Sequence, residues 1–353
     1  WRQVVWRETE HRACVCLGSR FEPSVKWAGL PGPLAMLSHM ASRPKVLEIC
    51  AGAGGQALGL EMAGFDTAAA VEIDQHAVGS LRLNRPQWNV IHGDVREFNA
   101  KDYRGVDLFA GGVPCPPFSK AGKQLGAEDE RDLFPEALRL IGECKPRAVL
   151  LENVPGFAEA KFNAYREELL EKLRKLGYEP SWEVIQASDL GVPQLRPRFV
   201  LTALRPADAK RFKLNLDIHE TTTVGEALKD LMASGGWKGA KAWAKKANKI
   251  APTLVGGSKK HGGPDLGPTR AKAQWAKLHV DGMGIADAPP PADAPLDFMP
   301  RLTVRMAARI QGFPDSWQFF GKKTNSYRQI GNAFPPQVAA YVGRAIFKAI
   351  TSK

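Results

Sequence analysis

The sequence predicts an α/β protein built on a doubly wound, mostly parallel sheet with a smaller inserted domain, and three observations carry that prediction. From Lys45 onward, short apolar strands alternate with segments whose apolar residues recur at i, i+3 and i+4. A glycine turn, Gly52-Ala53-Gly54-Gly55, joins the first strand to the first helix, where side chains would block approach to the backbone N–H groups. Between about Arg205 and Pro300 the alternation gives way to Gly/Pro-rich, basic, Trp-containing sequence with a Pro289-Pro290-Pro291 break, and it resumes at Arg301.

Taken in order, strands are expected at 45–50, 67–73, 89–92, 106–110, 148–151, 182–186 and 198–204. Helices are expected at 56–63, 75–84, 134–144 and 158–176. A last helix at 336–350 starts from Pro335 and Pro336 and sets Val338, Val342, Ala345, Ile346 and Ala349 on one stripe. Residues 1–41 fit none of this: they begin on Trp, carry no periodicity and hold a Pro/Gly cluster, so they form a separate N-terminal extension, and translation is expected to begin at Met36 or Met40. The division that follows is an extension at 1–41, a main domain from 42–204 plus 301–353, and an insert at 205–300.

Composition narrows the functional classes. The chain has 353 residues and a net charge of +12, a size that folds without covalent staples and a charge that favours a polyanionic partner. The surplus is concentrated: residues 237–279 hold ten Lys/Arg against one acid, Asp265, and interleave them with Trp237, Trp243 and Trp275. Five cysteines (Cys14, Cys16, Cys50, Cys115 and Cys144) show no CxxC or Cys/His spacing, so neither disulfides nor a structural metal is expected. No run of eighteen apolar residues exists, so no membrane span is expected, and the setting read from these features is the cytoplasm.

The chemistry is concentrated in three blocks. Pro114-Cys115-Pro116-Pro117-Phe118-Ser119 puts a cysteine in a rigid proline turn just past a strand, a poor place for a packing residue and a good one for a nucleophile. Glu152-Asn153-Val154 ends another strand on a carboxyl, and Gln194-x-Arg196-x-Arg198 brings two guanidinium groups to the start of the last strand. A thiol, a proton donor and a cationic anchor suit methylation of an unreactive aromatic ring carbon such as cytosine C5. Addition of a thiolate to C6 makes C5 nucleophilic, and a proton delivered at N3 relieves the charge that addition creates. Glu72 follows Gly52 by twenty residues at a strand end, where an acid reaches a ribose hydroxyl, and Asp94 lies just past the next strand.

Together these residues resemble the DNA (cytosine-5) methyltransferase family from about Val46 to Phe347. Six blocks fall in the family's order: Glu48 to Gly55, Glu72-Ile73-Asp74, Pro114 to Ser119, Glu152 to Val154, Gln194 to Arg198, and Gln329-Ile330-Gly331-Asn332. The resemblance implies a Rossmann-like sheet that binds S-adenosylmethionine, releases S-adenosylhomocysteine, and carries a target recognition domain at 205–300.

It further implies Cys115 as nucleophile, Glu152 as proton donor, Arg198 facing the cytosine and holding Glu152, and Arg196 meeting the phosphate backbone. Cofactor contacts are implied for Cys50, Ala51, Gly52, Gly54 and Gly55, for Glu72 at the ribose and Ile73 against the adenine, for Asp94 at the adenine amino group, and for Val95, Pro114, Asn332 and Ala333. DNA contacts are implied for Ser119, Lys120, Lys123 and Gln124 in a loop that closes over a flipped base, and for Lys245, Lys246, Lys259 and Lys260 in the insert. The partners implied are double-stranded DNA and a cognate restriction endonuclease acting separately, with the enzyme a monomer in a bacterial or phage-infected cell, at the nucleoid. In the family the last helix packs back beside the first glycine loop.

Two positions depart from the pattern. Cys50 stands where many members have Phe, which should alter cofactor affinity by about 1 kcal/mol of lost ring contact. Met306, after Arg301-x-Thr303-x-Arg305, stands where a glutamate is usual, which bears on local packing. Two other readings remain: a methyltransferase acting on tRNA cytosine, and a DNA-binding protein that does no chemistry. Amino-group methyltransferases, which need no thiol, fit less well, because Cys115 stands where their turn has a polar residue.

Overall fold

The computed structural model describes residues 43–114, 132–215, 220–257 and 265–352, so the 1–41 extension lies outside the described residues. The seven strands are β1 (Lys45–Ile49), β2 (Asp66–Glu72), β3 (Val90–His92), β4 (Leu108–Gly112), β5 (Ala148–Asn153), β6 (Glu179–Gln186) and β7 (Pro197–Leu204). They form one sheet in the order β3-β2-β1-β4-β5-β7-β6. β1 to β5 run parallel, while β7 is antiparallel to both β5 and β6.

The helices of the main body are α1 (Gly55–Met62), α2 (Gln75–Asn84), α3 (Phe134–Cys144) and α4 (Asn163–Lys175). α5 (Pro206–Ala209), α6 (Val224–Ala233), α7 (Ala240–Lys246) and α8 (Thr269–Ala276) follow β7. α9 (Val304–Ile310), α10 (Lys323–Asn332) and α11 (Pro336–Thr351) close the chain. The expected helix at 158–176 starts only at Asn163, because two short 3₁₀ turns precede it. Phe157 anchors the first of them in the core, its ring 5.1 Å from Phe134 and 4.8 Å from Phe199.

Strand alternation sorts the core onto two faces. Leu47, Ile49, Phe109 and Leu151 pack with α3 and α4 on one side, and Val46, Leu108, Ala110 and Leu150 pack with α1 and α11 on the other. α11 buries the expected stripe of Val338, Val342, Ile346 and Ala349, with Ala345 half-buried, and lies against α1 just behind the glycine turn.

A third core joins α6 to α10 and takes in Trp237, Trp243, Trp275 and Trp317. The three tryptophans that alternate with lysines in the sequence are therefore interior residues, while Lys238, Lys241, Lys245, Lys246 and Lys249 are exposed. No strand occurs among the described residues of 205–300. No helix among the described residues is long and apolar enough to cross a membrane.

Candidate active site

In an open sheet, ligands bind beyond the carboxyl ends of the strands where the strand order reverses, which here is between β1 and β4. A cavity of about 180 Å³ lies at that edge. The glycine turn after β1, Glu72 at the end of β2, Gly112 on β4 and Glu152 on β5 form its walls, and Asn325, Arg328 and Asn332 close it from α10.

The glycine turn is built for close approach. Gly52 has φ +53°, a left-handed conformation that suits glycine, and the space where its Cβ would stand is open. Its N–H donates to Glu72 Oε2 at 2.7 Å, and the Asp74 N–H donates to Glu72 Oε1 at 2.7 Å. Gly55 admits no side chain, since a Cβ would stand 2.2 Å from the Phe334 carbonyl oxygen. Trp317 braces the turn by donating from Nε1 to the Ala53 carbonyl at 3.0 Å.

Cys50 follows β1 with φ +51° and lines the cavity. Burial first, and then the carboxylates of Glu72, Asp94 and Glu48, push its thiol well above the usual range, so it stays protonated and serves as a small, partly buried wall residue.

Glu152 sits beside Gly112 in the β4–β5 register, one residue before Val113 and Pro114, where the described chain stops just short of Cys115. Arg198 Nε donates to Glu152 Oε1 at 2.7 Å. Burial raises the Glu152 carboxyl above the ordinary carboxylate range, with Arg198 and Arg196 pulling the other way, and burial prevails. A buried carboxyl held toward its neutral form is suited to donating a proton.

Arg196 is placed differently from the expectation. It is 1% exposed and cannot meet a phosphate from where it lies. Its guanidinium donates to the carbonyls of Leu254 at 2.8 Å, Gly331 at 2.7 Å and Ala333 at 3.0 Å. Gln194 beside it receives the Leu254 N–H at 2.8 Å and donates to Gln311 at 2.8 Å. The first two members of the Gln-Arg-Arg block thus tie the insert and the C-terminal segment to the strand that carries Arg198.

The cavity brings together Cys50, Ala51, Gly52, Gly55, Glu72, Asn332 and Ala333 with Glu152. Gly54 (φ +86°) supports the turn from behind, packed under Leu81 and Trp317. Ile73 is 62% exposed beyond Glu72. The Asp94 carboxylate is engaged by Arg96, whose hydrogen bonds hold it below its ordinary value. Val95 is buried in the core and brings no side chain to the cavity, and Pro114 is exposed at the end of the described segment. Cys115, Ser119, Lys120, Lys123, Gln124, Lys259 and Lys260 lie outside the described residues.

Sequence reasoning placed Glu48 at the head of the first block without giving it a role and passed over Gln56; both line the cavity and are 0% and 3% exposed. None of their side-chain oxygens and nitrogen has a hydrogen-bond partner among the described residues. Bare buried polar atoms cost about 1–3 kcal/mol each. The signal was present in the sequence as an acid in the otherwise apolar strand Val46-Leu47-Glu48-Ile49. These orphaned groups, the open space over Gly52 and the acid at the end of β2 fit a ligand that brings both polar donors and acceptors, as S-adenosylmethionine does.

The family model of C-5 cytosine-specific DNA methylases matches residues 44–348. Type II methyltransferase M.NaeI of Lentzea aerocolonigenes is 56% identical over 310 residues, covering 87% of this chain and 75% of its own length. Type II methyltransferase M.NgoMIV of Neisseria gonorrhoeae is 55% identical over 307 residues, covering 86% of this chain and 97% of its own. A solved prophage-encoded DNA modification methyltransferase from E. coli superposes with a TM-score of 0.62 at 25% identity, over 88% of this chain and all of its own. Spodoptera frugiperda Dnmt2 shares the fold with a TM-score of 0.61 at 19% identity, over 86% of this chain and 99% of its own. With the Pro-Cys block of the sequence, the buried carboxyl–guanidinium pair and the cavity at the switch point in one family frame, the chain belongs to the C-5 cytosine-specific DNA methylases and is an S-adenosylmethionine-dependent DNA (cytosine-5) methyltransferase.

Proposed function

We propose that the enzyme is the modification methyltransferase of a type II restriction–modification system, working as a monomer in the bacterial cytoplasm on nucleoid DNA, with a cognate endonuclease acting separately. The names of its relatives M.NaeI and M.NgoMIV support that setting. In this reading the target cytosine leaves the duplex, since C5 and C6 are hidden in the stack. The Cys115 thiolate bonds to C6 while protonated Glu152 donates to N3, and Arg198 fixes the Glu152 carboxyl. S-adenosylmethionine, held by the residues around the glycine turn, would supply the electrophilic methyl group that C5 takes as the S–CH3 bond breaks, leaving S-adenosylhomocysteine. Loss of the C5 proton to water then re-forms the C5–C6 double bond and expels the Cys115 thiolate, and N3 gives its proton back to Glu152.

The cofactor assignments carried forward are Glu72 to the ribose, Ile73 against the adenine, and the turn Cys50 to Gly55 with Asn332 and Ala333 around the amino-acid end. Asp94 reaches the adenine amino group by sharing its carboxylate with Arg96. The 205–300 insert is the target recognition domain, with Lys245, Lys246, Lys259 and Lys260 on phosphates and Ser119, Lys120, Lys123 and Gln124 beside the flipped base.

The observation that carries the catalytic reading is the buried Glu152–Arg198 pair, with Glu152 paired to Gly112 at the strand edge just before Cys115 in the sequence. The test uses a mixed-sequence duplex, bisulfite sequencing, and a duplex with 5-fluorocytosine, whose fluorine cannot leave as a cation and so arrests the adduct. Wild-type protein should protect cytosine in one short motif and form a denaturant-resistant protein–DNA band, and Cys115→Ala should do neither. Methylation that persists in Cys115→Ala would refute the covalent route.

A further inference from the structure

Arg196 is a buried cation at a place where packing alone would be served by an aliphatic side chain. Burial first, and then the like charge of Arg198, hold its guanidinium well below the usual range, so its bonds must offset a cost. Those bonds span three parts of the molecule. On the insert, Leu254 is held at both its N–H, which donates to Gln194 Oε1 at 2.8 Å, and its carbonyl, which accepts from Arg196 at 2.8 Å. The Leu254 side chain meanwhile lies in the core that contains Trp243 and Trp275. On α10 the same guanidinium takes the carbonyls of Gly331 and Ala333, at 2.7 and 3.0 Å, on either side of Asn332 in the cavity wall. Asn332 Nδ2 donates in turn to the Gly257 carbonyl at 3.4 Å. On β7, two residues along from Arg196, Arg198 fixes the Glu152 carboxyl. Little slack separates these pieces, because a Cβ on Gly256 would stand 2.6 Å from the Arg328 carbonyl oxygen.

We propose that Arg196 transmits recognition by the insert to the reacting groups, so that a matched site is told from a mismatched one in the methyl-transfer step as well as in binding. Arg196 is in this sense a positioning residue that sets specificity without touching DNA. The proposal rests on the reading of 205–300 as the target recognition domain. A duplex that docks the insert correctly holds Leu254 in place, and through one planar fork it holds Asn332 in the cavity wall and the Glu152–Arg198 pair. A mismatched duplex that shifts the insert shifts all of them, and a displacement of about 1 Å slows an oriented reaction by about 10²-fold. Lysine does not reproduce this link, since its ammonium is a point charge on a flexible stem, whereas a guanidinium presents its donors in a fixed plane.

Single-turnover methylation tests this on two duplexes, one carrying the motif that the wild type protects and one with a single base pair of that motif changed. With enzyme in saturating excess the rates report steps after binding, and their ratio cancels any unfolded fraction. Arg196→Lys should shrink the ratio by about tenfold or more. Gln194→Met, which releases the Leu254 N–H and leaves its carbonyl held, should shrink it by a smaller factor. A role confined to stability lowers both rates equally, so an unchanged ratio in Arg196→Lys would overturn the proposal. Should Arg196→Lys fail to fold, an unchanged ratio in Gln194→Met would overturn it instead. A wild type that methylates both duplexes equally fast would overturn the recognition reading together with the proposal, an outcome distinct from a large ratio that survives substitution.

Discussion

Glu152 is pulled in two directions, raised by burial and lowered by Arg198 at 2.7 Å. A proton donor works while protonated, so the rate falls as pH rises through its pKa. Arg198→Ala removes the lowering charge, so the alkaline fall of the single-turnover methylation rate should move to higher pH. The rate at neutral pH should drop about 10²-fold from lost positioning. A quench-flow series across pH reads both effects, and an alkaline limb that stays in place would count against the acid role. The identities of these residues were legible in the sequence, but their depths were not. Gln194, Arg196 and Arg198 alternate on an extended segment, which puts all three on one face. Only the fold reveals that Arg196 spends its donors on carbonyls 58 to 137 residues distant. Partners so remote leave no local pattern.

At the scale of elements, periodicity located every strand to within about three residues and three of the four main-body helices as closely, because apolar runs bounded by turn residues mark them, while α4 begins five residues after its expected start. The antiparallel edge was also legible in hindsight. Ten residues separate β6 from β7, too few for a parallel crossover, which needs a dozen or more. Met306 shows a role that residue type concealed. Its sulfur accepts the Thr303 N–H at 3.4 Å while Thr303 Oγ1 accepts the Met306 N–H at 3.2 Å, so the thioether fills the glutamate's place in a buried helix cap. The seam between α1 and α11 depends on absent side chains. A Cβ on Gly59 would stand 2.3 Å from the Pro336 carbonyl oxygen and 2.5 Å from the Ala339 Cβ. Gly59→Ala should cost about 1–3 kcal/mol by overpacking, read as a lower urea midpoint at unchanged slope. The same substitution should weaken S-adenosylhomocysteine binding, since α1 opens with the glycine turn.

At the scale of the whole molecule, charge and core separate along 237–249, where Trp237 and Trp243 go inward and Lys238, Lys241, Lys245, Lys246 and Lys249 outward, giving α7 an exposed end at Lys245 and Lys246. Each phosphate neutralised contributes about −0.9 to the slope of log affinity against log salt on duplex DNA. The double variant Lys245→Ala/Lys246→Ala should make that slope shallower by about 2 while leaving S-adenosylhomocysteine affinity unchanged, as fluorescence anisotropy over a salt series would show. A slope that does not move would place the DNA on another face.

Where the insert meets α10, a Cβ on Gly331 would stand 2.4 Å from the Gly256 backbone and one on Gly256 2.5 Å from Asn332 Oδ1, and Arg196 holds Leu254 from the other side. The 251–257 stretch therefore belongs mechanically to the catalytic body, although in sequence it lies inside the 205–300 insert. With the insert as the recognition domain proposed above, what can be exchanged between relatives is two pieces flanking a fixed strut. A chimera that keeps 251–257 with the recipient's own α10 should stay soluble and bind cofactor, whereas one that imports the donor's version wholesale must also import its matching helix.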